Sequence, residues 1–147
     1  MFNETPSGGP DHGAMLDILA RARPERLKAL AEALLDAMGE ISVIANRTGL
    51  VMVPMRDTVE NVDFHLGEVL VSEAHIADAA GHVGYGMIAG RDLERAMAMA
   101  VVDLRVAAVG QEADISRFLV EESAHLAAED DKRMRQVEAT RVEMETF

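Results

Sequence analysis

The stretch Gly81–Ala96, GHVGYGMIAGRDLERA, predicts the point at which a sheet gives way to a helix. Apolar side chains alternate along its first half, which is the pattern of an extended strand. Glycines at 84 and 86 leave one strand face without side chains, so another backbone or a ligand can lie close against it. Gly90 permits a sharp turn, and Asp92 is a favourable N-cap for the apolar run that follows.

The same corner has features of an anion site. A helix that begins after Asp92 points unpaired amide groups toward the end of the sheet, with Arg91 beside them. The glycine spacing there is GxGxxxG, which differs from the dinucleotide-binding fingerprint GxGxxG. Two interpretations therefore stay open: a substrate-binding corner formed by Gly90, Arg91 and Asp92, or a plain strand-to-helix turn.

Composition limits the classes of function. The chain has 147 residues, 49% of them hydrophobic, which suits one compact domain. A formal charge of -12 disfavours duplex nucleic acid and anionic membranes as partners. There is no cysteine, so the chain offers no thiolate ligand for an iron–sulfur cluster. No segment resembles a signal peptide or a membrane span, and we expect a cytoplasmic protein.

The periodicity predicts an α+β fold with an antiparallel sheet of four to five strands covered by helices. We expect a flexible N-terminal tail over residues 1–12 and a single α+β domain over residues 13–147. Two helices precede the sheet. Between Gly39 and Gly90 the spacing of apolar residues changes from the helical period of about 3.6 residues to the strand period of two. The predicted strands begin with Ile41–Ala45 and Leu50–Met55, joined by a turn at Asn46–Gly49, and continue with Asp63–Ile76 and the opening stretch.

The end of the chain predicts one long helix. After Gly110 there is no glycine or proline in the final 37 residues, and the apolar stripe is irregular. The last third of such a helix has little core of its own to cover. Helices that extend past their domain are commonly completed by a partner chain.

Candidate chemistry centres on Glu68 and His65. In strict alternation Glu68 falls on the apolar face of its strand, directly after Gly67. Either a bulge at Gly67 turns the carboxylate outward, or the carboxylate is partly buried and needs a partner. Acid–base catalysis by Glu68 with His65 is the enzymatic interpretation. The five histidines lack metal-ligand spacing, so no metal site is predicted.

Four blocks between residues 48 and 143 resemble the PhnG family, a subunit of the bacterial carbon–phosphorus lyase system. They keep the family's order and approximate spacing, and the resemblance extends from about Ala14 to the end. The blocks are TGLVM at 48–52, FHLGEVLV at 64–71, Gly84-Tyr85 with Gly90-Arg91-Asp92, and ATRVE at 139–143.

The resemblance implies a cytoplasmic subunit of a complex that degrades organic phosphonates. Such a complex replaces the adenine of ATP with methylphosphonate, giving ribose 1-methylphosphonate 5-triphosphate. The implied partners are PhnH, PhnI, PhnJ and a PhnL-like ATPase, with self-association inside the complex. ATP is then a substrate of the complex and no cofactor is expected on this chain alone, since the iron–sulfur cluster belongs to PhnJ. The implied role is to organise a site. The alternative is a stand-alone module for a small anion.

Overall fold

The structure is a computed structural model, and it describes residues 11–142. The fold is α+β, as predicted, with four helices and one antiparallel sheet in this part of the chain. In chain order the elements are α1 His12–Arg21, α2 Pro24–Leu35, β1 Ile41–Arg56, β2 Asp63–Asp78, β3 Val83–Ala89, α3 Leu93–Val109 and α4 Ala113–Ala139.

The sheet has three strands in the order β1-β2-β3, so the prediction of four to five strands is wrong for the described residues. The error lies at Asn46–Gly49, where a turn was predicted and β1 instead runs straight through. β2 is as long as β1 and pairs with it from Ile41 opposite Asp78 to Arg56 opposite Asp63. Gly49 keeps a negative φ, so it makes no use of the conformational freedom that a hairpin turn requires.

Helix α3 lies directly on the glycine-bearing face of β3, which confirms the close approach predicted there. A Cβ atom added at Gly86 would stand 2.1 Å from the carbonyl oxygen of Ala96, and one at Gly84 would stand 2.3 Å from that of Ala100. The small residues on the facing side of α3 allow this distance. Only glycine at these two strand positions lets the helix backbone pack so near the sheet.

Helices α1 and α2 complete the core around α3 and the first turns of α4. Met15, Leu19 and Leu27 are fully buried there with Leu104 and Ile115. Of the predicted N-terminal tail, the structure describes two residues. Asp11 caps α1 by accepting a hydrogen bond from the amide of Ala14, and His12 is the first residue of that helix. Residues 1–10 of the predicted tail lie outside the described range.

The β1–β2 ribbon continues well past the body. β3 pairs with β2 only between Val71 and Ala77, and the buried residues of β2 all lie in that part of the strand. We call residues 50–70, which comprise the two strand ends beyond this pairing and their connecting loop, the arm. No residue of the arm is buried.

Helix α4 is a single helix of 27 residues, as the absence of glycine and proline predicts. Its buried residues, Ile115, Phe118, Leu119 and Glu122, all lie in the first ten positions. We call residues 131–139 the distal segment of α4. Every residue of this segment is exposed, Met134 and Val137 among them, so the prediction that the last third lacks a core is confirmed.

Candidate functional site

The corner between β3 and α3 is fixed by a side chain that the sequence did not single out, Ser72. Its buried hydroxyl donates to the carbonyl oxygen of Gly90 at 2.8 Å and accepts from the amide of Asp92 at 2.9 Å. Gly90 has a φ of 96°, a left-handed conformation that favours glycine. The carboxylate of Asp92 accepts from the amide of Arg95 at 2.9 Å, so its predicted role as N-cap of α3 is confirmed.

Three amide groups at this corner are hydrogen-bonded within the chain. The Gly90 amide donates to the carbonyl oxygen of Leu70 at 2.8 Å, and the next two bonded amides go to Ser72 and to the Asp92 carboxylate. The ammonium group of Lys28 lies 3.6 Å from the Asp92 carboxylate. An anion arriving here would meet the Asp92 carboxylate, which disfavours its binding. The side chain of Arg91 is exposed at this corner.

A register irregularity in β2 changes which residues share a face of the arm. Val53 lies opposite Gly67, but Pro54 lies opposite His65, so Leu66 is an extra residue in β2. Strict alternation would place His65 and Glu68 on opposite faces of the strand. The extra residue instead brings them to the same face.

Glu68 is exposed, so of the two alternatives considered for this carboxylate, the partly buried one does not apply. Glu68 lies on the same face of β2 as Leu70, two strand positions or about 7 Å from that residue. The carbonyl oxygen of Leu70 accepts the hydrogen bond from the Gly90 amide. His65 lies three residues beyond Glu68, farther out along the arm. The structure thus places the two predicted catalytic residues in one row that leads to the predicted substrate-binding corner. Their catalytic role stays a prediction.

A second polar cluster lies on the sheet face that α3 leaves open. The hydroxyl of Tyr85 donates to Glu73 at 3.0 Å, and the guanidinium of Arg47 donates to the same carboxylate at 3.1 Å. Burial, together with the hydrogen bond to Glu73, raises the pKa of Tyr85. The ring of His75 meets the ring of Tyr85 edge-on, with 6.1 Å between centroids. The sequence alone could not show this cluster, because its members are joined only by the cross-strand register.

Two buried carboxylates hold the helices together, and sequence reasoning missed both. Glu122 of α4 is fully buried and accepts from the backbone and guanidinium of Arg23 and from Arg26. Burial raises the pKa of Glu122, but the hydrogen bonds and positive charges of the two arginines outweigh it, so the net shift is downward. In α3, Asp103 accepts from the amide of Tyr85 at 2.9 Å and lies 2.7 Å from the ring of His12.

The described residues lack two further features, a cluster of metal ligands and a membrane-spanning helix. Between residues 11 and 142, no three histidine, aspartate or glutamate side chains converge as a metal site would require. None of the helices in that range combines the length and the hydropathy that crossing a membrane would demand.

Comparison with known proteins finds a family model and a named relative that match the chain. The family model described as phosphonate metabolism protein PhnG matches residues 12–147. A protein of Rhizobium meliloti (strain 1021), named alpha-D-ribose 1-methylphosphonate 5-triphosphate synthase subunit PhnG, is 33% identical over 130 residues. The aligned region covers 88% of this chain and 83% of that protein.

Proposed function

The chain belongs to the PhnG family, and we propose that it is a subunit of a ribose 1-methylphosphonate 5-triphosphate synthase. In this proposal the complex transfers the ribose triphosphate of ATP to methylphosphonate and releases adenine. This chain organises the assembly and its shared active site. ATP is a substrate of the complex, and the chain needs no cofactor of its own. The proposed location is the cytoplasm, where ATP is available.

One observation carries the assembly role: apolar side chains remain uncovered in two places that the chain's own core does not reach. The arm exposes nine large apolar residues, and the distal segment of α4 exposes two more. Large exposed apolar patches mark sites where proteins associate. The nine residues of the arm are Leu50, Val51, Met52, Met55, Val59, Val62, Phe64, Leu66 and Val69.

The proposed partners are the PhnH, PhnI, PhnJ and PhnL-like subunits, with more than one copy of this chain in each complex. Co-expression with the genes for those subunits tests the proposal. We expect the chain to co-purify with them at a fixed ratio, and we expect adenine release from ATP and methylphosphonate to depend on its presence. A chain that stays monomeric beside its partners, or that can be omitted without loss of adenine release, would contradict the proposal.

A direct catalytic contribution is the second candidate, favoured by the row that joins Glu68 to the Gly90 corner. In this version Glu68 acts with His65 in proton transfer, while Arg91 with Gly90 and Asp92 binds a phosphate group of the substrate. The variants Glu68→Gln and Arg91→Ala change exposed side chains, so both should fold as the parent does, and adenine release is measured per assembled complex. Unchanged adenine release by both assembled variants would eliminate the catalytic version and leave the assembly role intact.

A stand-alone anion-binding module is not favoured. Three of the amides at the corner are already hydrogen-bonded within the chain, and the Asp92 carboxylate lies beside them. The relative from Rhizobium meliloti is named as a subunit of a synthase.

A further inference from the structure

Resting on the proposed function, we propose that the arm inserts into an apolar groove edged with lysine and arginine on a different subunit of the synthase. The proposed contact involves residues 50–70 alone and is separate from any contact that the distal segment of α4 makes.

The arm has no core of its own. It is a two-stranded ribbon without a single buried residue, and isolated ribbons of this kind are at best marginally stable in water. Its side chains are nevertheless those of a protein interior, with Leu66 at 65% and Val59 at 89% exposure. An arm of this composition needs cover, and none of the described residues of the chain provides it.

The apolar residues occupy both faces of the arm, which indicates insertion rather than docking on a flat surface. On one face Val51 lies opposite Val69, and Met55 lies opposite Phe64. On the other face Leu50 lies opposite Leu70. A flat partner would cover one of these faces and leave the other in water. A groove with two walls covers both.

The charge of the arm identifies the rim of that groove. The arm contains one arginine, Arg56, and four carboxylates. Arg56 forms an ion pair with Asp63, with 2.8 Å between Nε and a carboxylate oxygen. Asp57, Glu60 and Glu68 remain as uncompensated negative charges among the described contacts. Rim charges of an interface are arranged so that opposite signs meet. The receiving subunit therefore presents lysine and arginine around an apolar floor.

A second copy of this chain is a poor match for the arm. Each copy carries a net charge of -12 and the same acidic arm. Most of its described arginines are already held in ion pairs with its own carboxylates, as Arg23 and Arg26 are with Glu122. They are therefore not free to form a basic rim. The occupant that the observations favour is a subunit of different sequence.

Co-expression of the full chain with the other synthase subunits tests the inference, with the amount of chain that co-purifies measured at several salt concentrations. The apolar contact is tested by Leu66→Ser, with Val109→Ser as a matched control at the end of α3, where Val109 is 55% exposed. The charge contact is tested by the double variant Glu60→Lys and Glu68→Lys, with Asp17→Lys on α1 as its control. All these positions are exposed, so the variants fold as the parent does.

We expect each arm variant to reduce co-purification about tenfold or more, as substitutions at the centre of an interface do. The controls stay at the parent level. Because salt screens exposed charges, we expect the parent itself to co-purify less as salt is raised, and the lysine double variant to lose this dependence. The inference is overturned if the parent assembles and the arm variants assemble equally well. It is also overturned if the arm variants abolish a dimer of this chain alone. If the parent fails to assemble, the proposed function fails first.

Discussion

Replacing Gly86 with alanine tests the packing on which the body of the fold depends. The added Cβ would stand 2.1 Å from the carbonyl oxygen of Ala96 and 2.9 Å from the amide nitrogen of Ala100. Ordinary contact begins at 3.4 Å, so α3 must retreat by about 1 Å or more. Both obstacles are backbone atoms of one helix, so no side-chain rotation relieves the clash.

Overpacking of this kind costs about 1–3 kcal/mol, and a clash with backbone belongs at the upper end of that range. A loss of about 3 kcal/mol lowers the melting temperature of a domain of this size by about 10 °C. Thermal unfolding of the full chain, followed by circular dichroism at 222 nm, measures the change. Gly49→Ala is the matched control, since no atom lies within 4 Å of its added Cβ and the expected change is below about 0.5 kcal/mol. A Gly86→Ala chain that melts within about 2 °C of the parent would refute the packing of α3 on β3.

Two further variants test the polar groups inside the body. Ser72→Ala leaves the Gly90 carbonyl and the Asp92 amide without their partner, and we expect a loss of about 1–3 kcal/mol in chemical denaturation, against no measurable change for the exposed Ser42→Ala. Glu122→Gln removes the buried charge that holds Arg23 and Arg26, with an expected loss of similar size. Because the folded-state pKa of Glu122 lies below the ordinary 4.5, its stabilising effect is complete above that pH and is lost as the pH falls further. Glu122→Gln should therefore flatten the loss of stability between neutral and acidic pH, and an unchanged slope would contradict the assignment.

The elements with strong local signals were predictable. Gly84 and Gly86 on one strand face indicated a close neighbour, and Gly90 followed by Asp92 indicated the turn and the N-cap. All three features are present. The length of α4 and the exposure of its distal segment followed from the absence of breakers and from an apolar stripe that weakens toward its end.

The sheet was harder to predict because its register is a long-range property. Asn46–Gly49 has turn residues, but fifteen residues of β2 pair along the length of β1 and hold that segment extended. The extra residue Leu66 then reverses the alternation beyond it, so that His65 and Glu68 share a face. Local periodicity cannot place such a bulge, since its position depends on the partner strand.

The buried carboxylates were missed for a related reason. Glu122 lies among exposed charged residues of α4, and nothing in its neighbourhood separates it from a solvated glutamate. Its partners Arg23 and Arg26 lie about a hundred positions earlier in the sequence. Ser72 was equally inconspicuous, because its two hydrogen bonds cross to a corner eighteen to twenty residues away.

Hydrogen–deuterium exchange on the free chain and on the assembled synthase tests the central claim most directly. We expect the amides of the arm and of the distal segment of α4 to exchange rapidly in the free chain and at least tenfold more slowly in the complex, because partner subunits cover them. Peptides from the buried part of α3 serve as an internal reference that changes little. Arm and distal-segment amides that exchange equally fast before and after assembly would contradict the account.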